Sequence, residues 1–141
     1  MAIMESDLFK GVSQRFITRI ANGAEEQTCK KNSVIFKRGE QASHFYVLVA
    51  GDVHIEIGDT EETLAVKRAG EVFGWSALVE PYTYTATARC VGETKVLKIS
   101  RDLLEAAVKE HPGEGLAVLQ NLTRIIAGRL RYAYRLLVPE T

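Results

Sequence analysis

The sequence predicts an α+β domain: an antiparallel jelly-roll β-barrel flanked by N-terminal helices and followed by a long C-terminal helix. Three observations carry this expectation. Residues 28–100 read as short apolar runs of strand length, separated by glycine–acid pairs. Apolar residues recur at helical spacing on both sides of that region. The chain has 141 residues, 46% apolar and 26% charged, which suits one globular domain over residues 1–141.

The N-terminal helices are expected within residues 1–23. Leu8, Phe9, Val12, Phe16, Ile17, Ile20 and Ala21 keep helical spacing, split near Gly11, with Ser13 placed to cap a second short helix. Val34-Ile35-Phe36 and Tyr46 to Ala50 then have strand length. Val53, Ile55 and Ile57 alternate with polar residues, as do Leu97 and Ile99 around Lys98. Gly39-Glu40, Gly51-Asp52, Gly58-Asp59, Gly70-Glu71 and Gly92-Glu93 mark the turns. Helices return over residues 101–137. Ser100 is a good N-cap for Arg101 to Lys109, and His111-Pro112-Gly113 breaks the pattern. A long helix then runs from about Glu114 to Leu137. Its stripe of Leu119, Leu122, Ile126, Leu130, Ala133 and Leu137 should pack against its own barrel.

Composition narrows the function classes. Eighteen basic and eighteen acidic side chains cancel, which argues against a chain-wide grip on nucleic acid or anionic membrane. The excess of Arg124, Arg129, Arg131 and Arg135 over Glu140 near the end fits bases at a helix C-terminus. Cys29 and Cys90 form no C-x-x-C pair, and the acidic N-terminus is no signal peptide, so a reducing cytoplasm is expected. No apolar run in the first half nears the roughly 20 residues that span a bilayer.

Catalytic signatures are sparse. His44, His54 and His111 form no ligand pair at i, i+4, so no metal site is expected, and surface or turn positions suit them. No G-x-S-x-G is present, and the acids are too scattered to nominate a carboxylate pair. Cys29 beside Lys30 and Lys31 reads as a spare thiol in a strand-entry turn rather than an activated one. We therefore expect no enzyme and no cofactor.

Residues 70–90 differ from the rest. A strand ending at Phe73 meets Gly74, Trp75 to Val79 can form one helical turn, Pro81 stops it, and a strand resumes at about Thr83. A helix start after glycine offers N–H groups to an anion, a weak signal alone. Ordered motifs strengthen it: Leu8 through Ser13, Ile35 through Glu40, Phe45 through Val53, Gly70 through Gly74, Ala86-Thr87-Ala88, Leu103-Leu104 and His111-Pro112. In that order the chain resembles the cyclic nucleotide-binding domain family, which includes the sensor halves of bacterial CRP/FNR regulators and the regulatory subunits of protein kinase A.

The resemblance implies an eight-stranded barrel holding a nucleotide in a cassette that here comprises Phe73, Gly74, Trp75, Ser76, Ala77, Tyr84 and Thr85. It also implies where the pattern departs. The family's glutamate, which accepts the ribose 2′-hydroxyl, aligns with Trp75; its phosphate-pairing arginine aligns with Tyr84. Losing a desolvated charged partner costs about 3–5 kcal/mol, and losing the ribose hydrogen bond about 1–3 kcal/mol more. That amounts to roughly three to six orders of magnitude in affinity. Arg89 lies an odd number of residues from Tyr84, so on a regular strand it faces away and replaces nothing. Trp75, Tyr82 and Tyr84 read either as core over an empty cassette or as an aromatic pocket for a less charged ligand.

The expected function is a ligand-sensing binding module with weakened or absent cyclic-nucleotide affinity. Alternatives are a degenerate interaction domain without ligand, or the sensor half of a transcription regulator, since only Val138-Pro139-Glu140-Thr141 follow Leu137. Expected partners are a small molecule and a second copy of the chain, paired through Leu119, Leu122, Ile126, Leu130 and Ala133. Leu116, Val118, Ile125 and Tyr134 widen that apolar face. No nucleic acid and no membrane are expected for this chain alone.

Overall fold

The computed structural model describes residues 2–57 and 63–137. The chain opens with α1 (Ala2–Glu5), a 3-10 turn (Asp7–Phe9) and α2 (Gln14–Gly23). Ser13 caps α2 as expected, its Oγ accepting from the Phe16 N–H at 3.2 Å. The strands follow: β1 (Glu25–Cys29), β2 (Val34–Phe36), β3 (His44–Ala50), β4 (Val53–Glu56), β5 (Thr63–Val66), β6 (Val72–Phe73), β7 (Thr87–Cys90) and β8 (Thr94–Ser100). A 3-10 helix, Trp75–Leu78, interrupts them after β6. The chain ends in α3 (Arg101–Glu110) and α4 (Pro112–Leu137).

Among the described residues the strands form two four-stranded antiparallel sheets, ordered β1-β8-β3-β6 and β2-β7-β4-β5. Strand β3 is buried on both faces because each is covered. Phe45 reaches outward to Phe9 of the N-terminal turn (ring centroids 6.5 Å apart), while Tyr46 points inward to Phe73 at 5.4 Å. One core therefore joins the barrel interior to the helices, with Phe16, Ile20, Phe45, Leu48, Phe73, Val96 and Ile99 all buried in it. At the β3–β4 turn Gly51 has φ +116°, and a Cβ there would lie 2.7 Å from the Thr94 Cα, so only glycine fits.

Several expectations need correction. The first strand begins at Glu25 rather than residue 28. The segment after Pro81 does not resume as a regular strand at Thr83. Tyr82 has φ +58°, Thr83 makes a single bridge to Gln41, and β7 begins only at Thr87. The regular strand assumed between Tyr84 and Arg89 therefore exists only from β7 onward, where Ala88 and Cys90 are buried.

The break between the last two helices is one residue, His111. Pro112 starts α4 directly, because proline needs no N–H partner at that position. The expected inward stripe of α4 is also rotated. Val118, Asn121 and Leu122 are the buried residues of α4, whereas Leu119, Leu130, Ala133 and Leu137 are exposed. The Gly58-Asp59 turn and the tail from Val138 onward lie outside the described residues.

Candidate functional site

The site is built where β6 turns into the 3-10 helix. Gly74 takes φ +75°, and a Cβ there would come within 3.1 Å of the Phe36 and Tyr46 rings. Glycine thus serves both the left-handed turn and the close aromatic approach. The helix that follows is pinned from outside the barrel. Arg101 at the start of α3 donates through Nη1 to the Ala77 and Ala42 carbonyls at 2.9 and 3.0 Å, and its guanidinium lies 4.0 Å from the Tyr82 ring centroid. The segment Tyr82–Tyr84 is laced to the loop before β3: Ala42 N–H donates to Tyr82 C=O, Gly39 N–H to Tyr84 C=O, and Tyr84 N–H to Glu40 C=O.

Tyr84 sets the interior. Its ring stacks on Phe36 with centroids 3.9 Å apart and 13° between planes. Phe36 in turn stacks on Tyr46 and Phe73. The Tyr84 hydroxyl donates to the His44 carbonyl. Burial pushes both phenols up from their usual range, and their mutual proximity adds to the shift of Tyr46. Four stacked rings fill most of the barrel mouth, and the cavity left there is about 50 Å³.

Phe73, Gly74, Trp75, Ser76, Tyr84 and Thr85 line this cavity together; Ala77 faces the core and is fully buried. Phe36, Ile55, Leu64, Ala86 and Arg129 complete the lining. Arg129 was not among the sequence candidates. It reaches in from α4, its guanidinium 5.5 Å from the Trp75 ring centroid and 3.8 Å from the Glu71 carboxylate. Burial lowers its pKa, and Glu71 counters that shift. A signal for it existed: Val118, Leu122, Ile125, Arg129 and Tyr132 recur at three- and four-residue steps, which places Arg129 on the inward stripe. Arg89, by contrast, pairs with Glu56 on the sheet at 3.0 Å.

The remaining candidates sit apart. His44 and His54 belong to different sheets and are half-buried in strands rather than in turns. His44 is held below its usual pKa by burial and then by Lys98. The Cys29 thiol is pushed up by burial and by Cys90 beside it, against any activation by its neighbouring lysines.

The model of the cyclic nucleotide-binding domain matches residues 26–111. The chain belongs to the cyclic nucleotide-binding domain family. It is 28% identical over 131 residues to the cyclic AMP receptor protein of Thermus thermophilus, covering 91% of this chain and 59% of that protein. It is 27% identical over 120 residues to a potassium channel of Oryza sativa subsp. japonica, covering 84% of this chain and 24% of the channel. The chain thus spans less than two thirds of the length of these relatives.

The same fold recurs in a solved cyclic nucleotide-binding domain from Methylobacillus flagellatus, with a TM-score of 0.84 and 19% identity over 99% of this chain and 83% of that one. The catabolite activator protein of Thermus thermophilus gives a TM-score of 0.76 and 25% identity over 94% of this chain and 62% of that one. The two sheets and flanking helices are therefore the β-roll of the cyclic nucleotide-binding domain family, and a regulatory sensor is the class of module it represents. Among the described residues no helix is long and apolar enough to cross a membrane.

Proposed function

We propose that this chain is a ligand-sensing regulatory module of its family in which ordinary affinity for cyclic AMP and cyclic GMP is weak or absent. The observation that carries the reading is the stack of Tyr84 on Phe36 at 3.9 Å. By the family's sequence pattern, Tyr84 stands in the slot of the arginine that pairs with the cyclic phosphate, and its neutral ring offers that phosphate no charge. The remaining cavity of about 50 Å³ is well below the roughly 300 Å³ at which small-molecule sites begin. Trp75, in the slot of the ribose-binding glutamate, has no carboxylate to offer and instead packs under Arg129. The name of the Thermus thermophilus cyclic AMP receptor protein supports a small-molecule ligand for the module, and the cassette residues argue for one of different charge.

Isothermal titration with cyclic AMP and cyclic GMP tests this. Dissociation constants weaker than micromolar are expected, and a micromolar or tighter constant for either overturns the reading. In parallel, Trp75→Glu combined with Tyr84→Arg should gain measurable affinity beyond either single change, because both anchors are needed at once. A folded double variant that binds no better than wild type refutes the slot assignment.

A second reading is an interaction domain working through α4. It is favoured by the exposed Leu116, Leu119, Leu130, Tyr134 and Leu137 on that helix.

A further inference from the structure

A groove larger than the cassette cavity lies outside it. Strands β5 and β6 each form one edge of their sheet, and α4 lines a groove together with both of those edges. The groove between them has a volume of about 550 Å³, within the roughly 300–1,000 Å³ typical of small-molecule sites. Its charged lining is four bases, Lys10, Arg68, Arg124 and Arg129, against two acids, Asp7 and Glu71. We propose that this groove binds a small organic anion, a phosphate- or carboxylate-bearing metabolite, with Arg129 as the central ligand group. The proposal rests on the sensing reading above and moves the ligand out of the cassette.

Arg129 is the reason to expect a missing partner. Its side chain keeps only 24% of its exposure, and among the described residues its guanidinium makes no hydrogen bond. Glu71 stays 3.8 Å away, too far for one. Glu71 cannot readily close that distance, because its other oxygen accepts from the Lys67 and Arg68 N–H groups at 3.2 and 3.0 Å and so belongs to the β5–β6 turn. A guanidinium has five donors, and a buried charge is normally both paired and hydrogen-bonded. An oxyanion in the groove would supply the absent acceptors in the bidentate manner that arginine favours.

The other bases are only partly engaged. Arg68 touches Asp7 at 3.4 Å, and Arg124 donates to the Asn121 side chain at 3.0 Å. The Arg68–Asp7 pair is an exposed ion pair, and Arg124 has no carboxylate partner among the described residues.

The groove also communicates with the cassette. Leu64 and Arg129 border both spaces, and Arg129 lies over Trp75. An anion that draws the guanidinium toward the groove changes the surroundings of Trp75, the single tryptophan of the chain. Occupancy would thereby reach the 3-10 helix of the cassette through one side chain.

The test titrates the full chain with inorganic pyrophosphate and, separately, with citrate, following Trp75 fluorescence and heat. Pyrophosphate alone binding identifies a phosphoryl ligand; citrate alone identifies a carboxylate. The expected result is saturable, sub-millimolar binding of at least one probe, weakened by added salt. Arg68→Gln and Lys10→Gln, which line the groove and not the cassette, should each weaken it about tenfold, and Arg129→Gln should abolish it. Ser76→Ala, which lines only the cassette, should leave it unchanged. Absence of saturable binding by both probes overturns the proposal. So does binding that folded groove variants leave intact or that Ser76→Ala removes. The cyclic AMP titration is independent: tight cyclic AMP binding refutes the weakened cassette without touching the groove result.

Discussion

Tyr84 shows how one side chain can convert a binding mouth into core. Its ring completes a stack with Phe36, Tyr46 and Phe73, and its hydroxyl satisfies the His44 carbonyl. Removing the hydroxyl should cost the protein that bond but keep the stack, so Tyr84→Phe should lose about 0.5–1.5 kcal/mol of stability in urea titrations at neutral pH. The pH dependence has a definite sign. Burial raises the folded phenol pKa above the unfolded value near 10. The stabilisation from this shift is complete below about pH 10 and is lost as pH rises through the folded pKa. Tyr84→Phe should accordingly lose stability less steeply than wild type in alkaline solution. An equal slope for the two proteins would mean that the phenol is not shifted. The residue type was plain in the sequence. Its role was not, because stacking with Phe36 brings together positions far apart in the chain.

At the scale of elements, caps and turns were legible and helix facing was not. Ser13 and Ser100 cap α2 and α3 as their positions suggest, since a cap bonds to an N–H only three residues away. Helix α4 is different. Apolar residues occur around so much of its circumference that spacing alone allows several inward stripes. Asn121 settles the choice. It is buried, and its amide donates to the Leu8 and Lys10 carbonyls at 2.9 and 2.8 Å, groups left open where the N-terminal 3-10 turn ends. A sequence search for apolar stripes passes over an asparagine, although here it is the residue that fixes the helix. Asn121→Leu preserves the bulk but strands both carbonyls, and should lower stability by about 1–3 kcal/mol. A thermal melt unchanged from wild type would show that water replaces the amide at no cost.

For the whole molecule, the rotated facing of α4 bears on assembly. Leu122 is buried in the domain's own core, so it is not available to a partner, but Leu119, Leu130 and Tyr134 remain on the surface. Exposed apolar groups along one helix favour a self-complementary pairing about a two-fold axis. We expect a dimer, and Leu130→Asp should shift it to monomer without unfolding the domain, because Leu130 is 49% exposed. Light scattering of both proteins checks this; a wild-type monomer at high micromolar concentration would rule dimerisation out.

By itself the sequence determined what acts over a few residues: the presence of strands β4 and β8, the turns at Gly51 and Gly74, the serine caps, and the order of motifs that marks the family. These are local because a strand face, a left-handed turn and a cap each depend on neighbours in the chain. Tertiary structure alone decided that Tyr84 closes over Phe36, that Arg129 reaches the cassette from α4, and that the larger groove lies between β5, β6 and that helix. Each of those joins residues tens of positions apart. Only the packing of two sheets against a helix whose inward face was undecided could bring them within contact.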